Sequence, residues 1–197
     1  MSADCQRRAS PGIGNSGTLE MIIPPNRSIS GTVNPDLRNI PQTEKRWLND
    51  YQMLHYVCPH RASISIIVSQ HSNKTKDRVW DFACKTSFRG LINCSWTDYV
   101  NNFDEGINFS CPSKSLICGL ENLLDDKHKD RRWKFYCCQG DDVCLTRCIW
   151  TPYINKYKEY FSWQVPEGSH LVGTVCYNDD QRGQRRWQYR YCAMDPC

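Results

Sequence analysis

The chain has 197 residues, a formal charge of +4, 40% hydrophobic and 12% aromatic residues, and thirteen cysteines. A chain of this length can bury a core without staples, so the cysteines point to chemistry and not to small size: disulfides in an oxidising compartment or tetrahedral metal sites in a reducing one. So small a charge does not argue for nucleic acid, and no run approaches the roughly 18 apolar residues that a membrane-spanning helix needs.

Residues 1–46 contain no Phe, Trp or Tyr, yet hold five of the ten prolines and four of the eleven glycines. A segment without large apolar side chains cannot offset the entropy of ordering its backbone. This predicts a flexible Pro/Gly-rich arm, with residues 19–23 its one segment able to dock. The arm carries Cys5 and the sequon at Asn26. Its start shows no apolar signal-peptide core, and the chain reads as a mature or trimmed form.

From residue 47 the sequence repeats itself with a unit of about 53 residues, in copies of about 47–95, 96–149 and 150–197. Each copy opens on a Trp and a nearby Tyr: Trp47 with Tyr51, Trp96 with Tyr99, Trp150 with Tyr153. Next comes a proline, Pro59, Pro112 or Pro166, and 21 residues later a second tryptophan, Trp80, Trp133 or Trp187. Around that tryptophan large apolar residues alternate, Trp80 with Phe82, Trp133 with Phe135, and Trp187 with Tyr189 and Tyr191, which is the signature of a half-buried strand. Apolar runs at 64–68, 116–120 and 171–175 predict a preceding strand, with the polar stretch 70–76 as the first connecting loop.

One hairpin cannot bury its own face, but three can share a core. The expected fold is a single all-β domain spanning 47–197, with pseudo-threefold symmetry and sheets closed or nearly closed. Strand parity places Arg78, Arg131 and Arg185 on the face of the tryptophans, which predicts a structural role, since an unpaired buried charge is costly. Arg132, Lys134, Arg186 and Gln188 point the other way.

Cysteines gained and lost between copies fit a disulfide framework; Cys58 matches Cys84, and Cys111 matches Cys137 or Cys138. Paired C-x-x-C knuckles for zinc are absent. There is no H-E-x-x-H, G-x-S-x-G or P-loop pattern, and the five histidines recur at no equivalent position, so neither a cofactor nor a catalytic constellation is expected.

The three Asp-Arg-x-Trp-like segments, the W-T-D-Y-V-N-N-F-D stretch from Trp96 to Asp104 and the paired cysteines resemble the dermatopontin family. The resemblance covers roughly 47–197. It implies secreted, non-enzymatic matrix and adhesion proteins that bind proteoglycans, matrix proteins or cell-surface receptors. Invertebrate members include aggregation factors and a coral venom cytotoxin, so a cytotoxic role at cell surfaces is the alternative. The resemblance further implies bridges of Cys58 with Cys84, Cys94 with Cys137, Cys111 with Cys138, Cys144 with Cys197 and Cys148 with Cys192. A sixth, Cys118 with Cys176, is inferred between the second and third units, which leaves Cys5 in the arm as an accessible thiol, for a disulfide-linked dimer or a capped thiol.

Two loop-to-strand segments at equivalent places are rich in cations, and Lys127, Lys129, Arg132, Lys134, Arg182 and Arg186 are the candidate groups for sulfated glycans or an anionic membrane surface. Sequons at Asn26, Asn73, Asn93 and Asn108 permit N-glycosylation.

Overall fold

The computed structural model describes residues 47–49, 53–75, 77–125, 127, 130–141, 143–179, 184–195 and 197. The arm, with Cys5 and Asn26, lies outside the described residues, as do Tyr51, Lys129 and Arg182.

Among the described residues every regular element is a strand: β1 (Leu54–Val57), β2 (Ala62–Ser72), β3 (Asp77–Thr86), β4 (Ile92–Trp96), β5 (Ile107–Ser110), β6 (Ser115–Asp125), β7 (Asp130–Gly140), β8 (Cys144–Trp150), β9 (Phe161–Gln164), β10 (Ser169–Asp179) and β11 (Gln184–Asp195). The alternating tryptophan segments form β3, β7 and β11, and the apolar runs form β2, β6 and β10. These strands run further than the apolar runs suggest. The first connecting loop therefore begins only after Ser72, because Gln70, His71 and Ser72 pair with Val79, Arg78 and Asp77.

The three long hairpins do not merge into one closed barrel. They belong to three sheets, ordered β1-β6-β7-β4, β5-β10-β11-β8 and β3-β2-β9. What closes the molecule is an exchange of short strands. Strand β1 of the first unit pairs with β6 of the second, β5 of the second with β10 of the third, and β9 of the third returns to β2 of the first. Each exchange is locked at its end by a backbone bond: Cys58 N–H donates to Cys118 O, Cys111 N–H to Val172 O, and Val165 N–H to Ser65 O, at 2.8, 2.8 and 2.9 Å. The accepting residues sit where β6, β10 and β2 shift register, so a bulge in each long strand turns a carbonyl toward the neighbouring unit. Close approach at the exchange explains Gly119 and Gly173: an added Cβ would stand 2.7 Å from Tyr56 O and 2.7 Å from Phe109 O.

Strands β2, β6 and β10 approach one another pairwise around a central axis. There Trp80, Trp133 and Trp187 meet edge to face, with ring centroids 5.6 Å (80 to 133), 5.5 Å (133 to 187) and 5.0 Å (80 to 187) apart. Outside them a second ring of contacts repeats: Tyr56 on Phe82, Phe109 on Phe135, and Trp163 on Tyr189, at 5.3, 4.6 and 4.8 Å.

Among the described residues five disulfides staple the sheets, and two of them correct the pairing implied by the family resemblance. Cys94 is joined to Cys138, not Cys137, and Cys111 to Cys137, not Cys138; the others are Cys58–Cys84, Cys144–Cys197 and Cys148–Cys192. Neighbouring residues of a strand face opposite ways. Cys137 points into the axial core, whereas Cys138 lies directly across from Cys94, with the two Cα atoms 4.0 Å apart, beside a second cluster of Phe88, Leu116, Val143 and Val172.

The inferred sixth bridge is also corrected, since Cys118 and Cys176 are both buried and not disulfide-bonded. They occupy different clusters. Cys118 lies at the β6 bulge in the Phe88 cluster, and Cys176 lies opposite Trp187 in the axial core. Burial pushes the Cys118 thiol up to about 12, which keeps it protonated and unreactive.

Candidate functional site

The mouth of the axis is built from the residue two before each central tryptophan. Strand parity puts that residue on the same side as the indole, and Arg78, Arg131 and Arg185 are accordingly 7%, 3% and, at the side chain, 11% exposed. Each arginine is held by the residue opposite its tryptophan on the partner strand. Arg78 Nε donates to Ser69 Oγ at 3.0 Å, Arg131 Nη1 to Asn122 Oδ1 at 2.5 Å, and Arg185 Nη1 to Cys176 Sγ at 3.3 Å.

The arginines also reach from unit to unit. Arg131 pairs with Asp77 of the first unit at 2.7 Å, and Arg185 grips Asp130 of the second with Nη2 2.6 Å from both carboxylate oxygens. The same step from the first unit to the third would set Arg78 against position 184, where the sequence has Gln. Arg78 instead donates from Nη2 to Ser69 O at 3.4 Å and Glu159 O at 2.6 Å, and lies 5.1 Å from the Phe161 ring centroid. Burial pushes its pKa down to about 10, against the upward pull of the nearby Asp77 and Glu159 carboxylates. The three arginines, the three tryptophans, Asp77 and Asp130 line one cleft.

A further repeated residue carries the backbone behind this cluster. Asn49, Asn101 and Asn155 each accept the N–H of the central tryptophan, at 2.7, 2.9 and 2.9 Å, and donate to the carbonyl of the arginine, at 3.1, 3.0 and 3.1 Å. Sequence reasoning missed this clamp because it matched Trp47 to Trp96 and Trp150. The structure matches Trp47-Leu48-Asn49 to Tyr99-Val100-Asn101 and Tyr153-Ile154-Asn155: the N–H groups of Leu48, Val100 and Ile154 donate to the carbonyls of Trp80, Trp133 and Trp187. The signal was an apolar residue and Asn standing 31 or 32 residues before each tryptophan.

The outward-facing cations form two ledges. Arg132 lies 4.3 Å from the Tyr99 ring centroid and Lys134 lies 4.5 Å from it, while Arg186 covers Tyr153 at 4.1 Å. These groups are less free than strand parity alone suggests. Arg132 Nε donates to Asn101 O and Arg186 Nε to Asn155 O, at 3.1 and 3.3 Å, and Lys134 stands 3.8 Å from Glu121. The rest of each guanidinium, the tyrosine edges and the exposed Lys127 compose the outer surface. Asn73, in the turn after β2, Asn93 on β4 and Asn108 on β5 are all exposed. Among the described residues no three His, Cys, Asp or Glu side chains are grouped to hold a metal ion.

No solved structure matches the chain. Curated relatives do: a hemagglutinin/amebocyte aggregation factor of Limulus polyphemus is 36% identical over 154 residues, covering 77% of this chain and 89% of that protein. Millepora cytotoxin-1 of Millepora dichotoma is 30% identical, covering 74% of this chain and 65% of that protein, and the dermatopontin of Biomphalaria glabrata is 28% identical, covering 72% and 95%. The dermatopontin family model matches residues 49–197, all eleven strands of the three strand-exchanged units, and the chain belongs to that family.

Proposed function

We propose that the chain is a secreted, non-catalytic adhesion protein that draws cells or matrix components together through anionic glycans. The observation that carries this reading is the likeness to the Limulus aggregation factor, which extends over 89% of that protein. The disulfide framework fits an oxidising, extracellular setting. The ledges at Arg132, Lys134 and Arg186 fit sulfated or carboxylated sugars, because a guanidinium on a tyrosine keeps an N–H edge for an oxyanion while the ring offers a face to a pyranose. Lys127, Lys129 and Arg182 extend the same charge into the adjoining loops.

Retention on heparin and red-cell agglutination test it. Changing Lys127, Lys129, Arg132 and Lys134 together to Ala is expected to lower the salt needed for elution and to raise the minimum agglutinating concentration at least tenfold; unchanged elution would remove the glycan reading. Glycosylation at Asn73, Asn93 and Asn108 is part of the proposal, and a mass loss on enzymatic deglycosylation of the secreted protein checks it. A disulfide-linked dimer through Cys5 would give the two-ended geometry that aggregation requires, and a non-reducing gel showing only monomer would exclude it.

The likeness to a cytotoxin favours a second reading, action on the membrane surface itself. Dye release from anionic liposomes supports it, whereas clumping without release supports adhesion.

A further inference from the structure

Among the described residues lining it, the axial cluster has three guanidiniums against two carboxylates. Asp77 and Asp130 each neutralise an arginine of the next unit, and the third unit offers Gln184 at the corresponding position. Arg78 is buried and makes its hydrogen bonds to neutral groups: its Nε and Nη2 meet the hydroxyl and carbonyl of Ser69 and the carbonyl of Glu159. Its Nη1 makes none of these bonds. Beside it the indole Nε1 atoms of Trp80, Trp133 and Trp187 are buried without a hydrogen-bond partner. All of these side chains line one cleft, with about 230 Å³ of empty space including its mouth. Buried donors of this kind are normally satisfied, and a net positive charge with low accessibility favours an anion over water.

We infer that the mouth of the axis is a binding site for a compact monovalent anion, a halide or a carboxylate group, held by Arg78 Nη1 and the tryptophan N–H groups. A single negative charge balances the cluster. A dianion would overshoot it and face Asp77 and Asp130, and a bulky anion would not pass between three buried arginines. The anion completes the ring of unit-to-unit contacts, so binding tightens the first unit against the third. This site is separate from the outer cationic ledges and stands whether or not those bind glycans.

The test is thermal unfolding of the full chain with sodium chloride or sodium formate replacing sodium sulfate at a constant ionic strength of about 0.1 M. The midpoint is expected to rise saturably by about 5 °C with at least one of the two salts. Gln184→Asp supplies the missing carboxylate from within; the variant is expected to start from a higher midpoint and to lose the response to both. Bromide introduced into crystals gives a reading independent of that variant, an anomalous peak on the axis within hydrogen-bonding distance of Arg78 Nη1. A response to formate without a bromide peak assigns the site to carboxylates, and a peak with a chloride response assigns it to halides. No saturable response to either salt, or an equal response in wild type and Gln184→Asp with no axial peak, overturns the inference.

Discussion

At the scale of single residues, a few side chains stand in for backbone. Asn101 completes the pairing of β7 where no strand lies alongside, accepting from Trp133 N and donating to Arg131 O through one amide. Both of those backbone groups are buried, so replacing Asn101 by Ala strands a donor and an acceptor together. The expected cost is about 2–4 kcal/mol, seen as a lower urea midpoint with an unchanged slope; a cost below about 0.5 kcal/mol would mean that water replaces the amide. His170 works in the opposite sense. It is 6% exposed, with Nδ1 unpartnered, and burial, helped by Lys85 nearby, pushes its pKa down to about 4. The unfolded chain therefore takes up this proton first as pH falls from about 6.5. The contribution is fully present above that pH and is lost as pH drops toward 4, by roughly 3 kcal/mol in total. In a folded His170→Leu variant, that segment of the stability-against-pH curve should flatten while the carboxylate-driven loss at lower pH persists.

At the scale of elements, the hairpins and the arginine-bearing face were legible in the sequence because period-two alternation is a local property. The tryptophans, the arginines two residues ahead of them and the outward Arg132 and Arg186 follow from parity alone. Partner choice between strands is not local, and this is where legibility ended. The four residues of β1, β5 or β9 carry no mark that sends them to another unit's hairpin; only the small residue at 119 or 173 hints at it, by clearing room for the incoming carbonyl. The cysteines show the same limit from the other side. Cys137 and Cys138 are neighbours in sequence, so composition cannot rank them, but the repeat can: Cys111 to Cys137 spans the same 26 residues as Cys58 to Cys84, and Cys94 to Cys138 the same 44 as Cys148 to Cys192. The link between Cys118 and Cys176 failed because a bulge lies between them in parity terms, turning Cys118 away from the axis. Partial reduction under acid conditions with stepwise alkylation and fragment mass mapping should find Cys111 bound to Cys137 and Cys94 to Cys138, with Cys118 and Cys176 alkylated only after unfolding. A fragment joining Cys94 to Cys137 would refute the parity argument.

At the scale of the whole molecule, the exchange of β1, β5 and β9 makes each unit depend on the other two. No unit holds a complete sheet of its own: the first lends β1 and β4 and receives β9, the second lends β5 and β8 and receives β1 and β4, and the third lends β9 and receives β5 and β8. The axial tryptophans and the arginine-to-aspartate pairs cross the same boundaries. Such a ring differs from a stack of repeats, in which each repeat touches only its neighbours and an end can be trimmed with proportionate loss. Here removing residues 150–197, with Cys144 and Cys148 changed to Ser, takes away β9 from the first hairpin and β10 from β5, and opens the tryptophan cluster to solvent on one side. The full chain is expected to unfold in one transition, with near-ultraviolet signals from the axial tryptophans and far-ultraviolet signals from the strands coincident in urea. The two-unit chain is expected to show no sigmoidal transition, and to bind a hydrophobic dye in the absence of denaturant. Retention of a sharp transition at more than half the full chain's midpoint would show that two units close on themselves, and that the exchange adds stability without governing cooperativity.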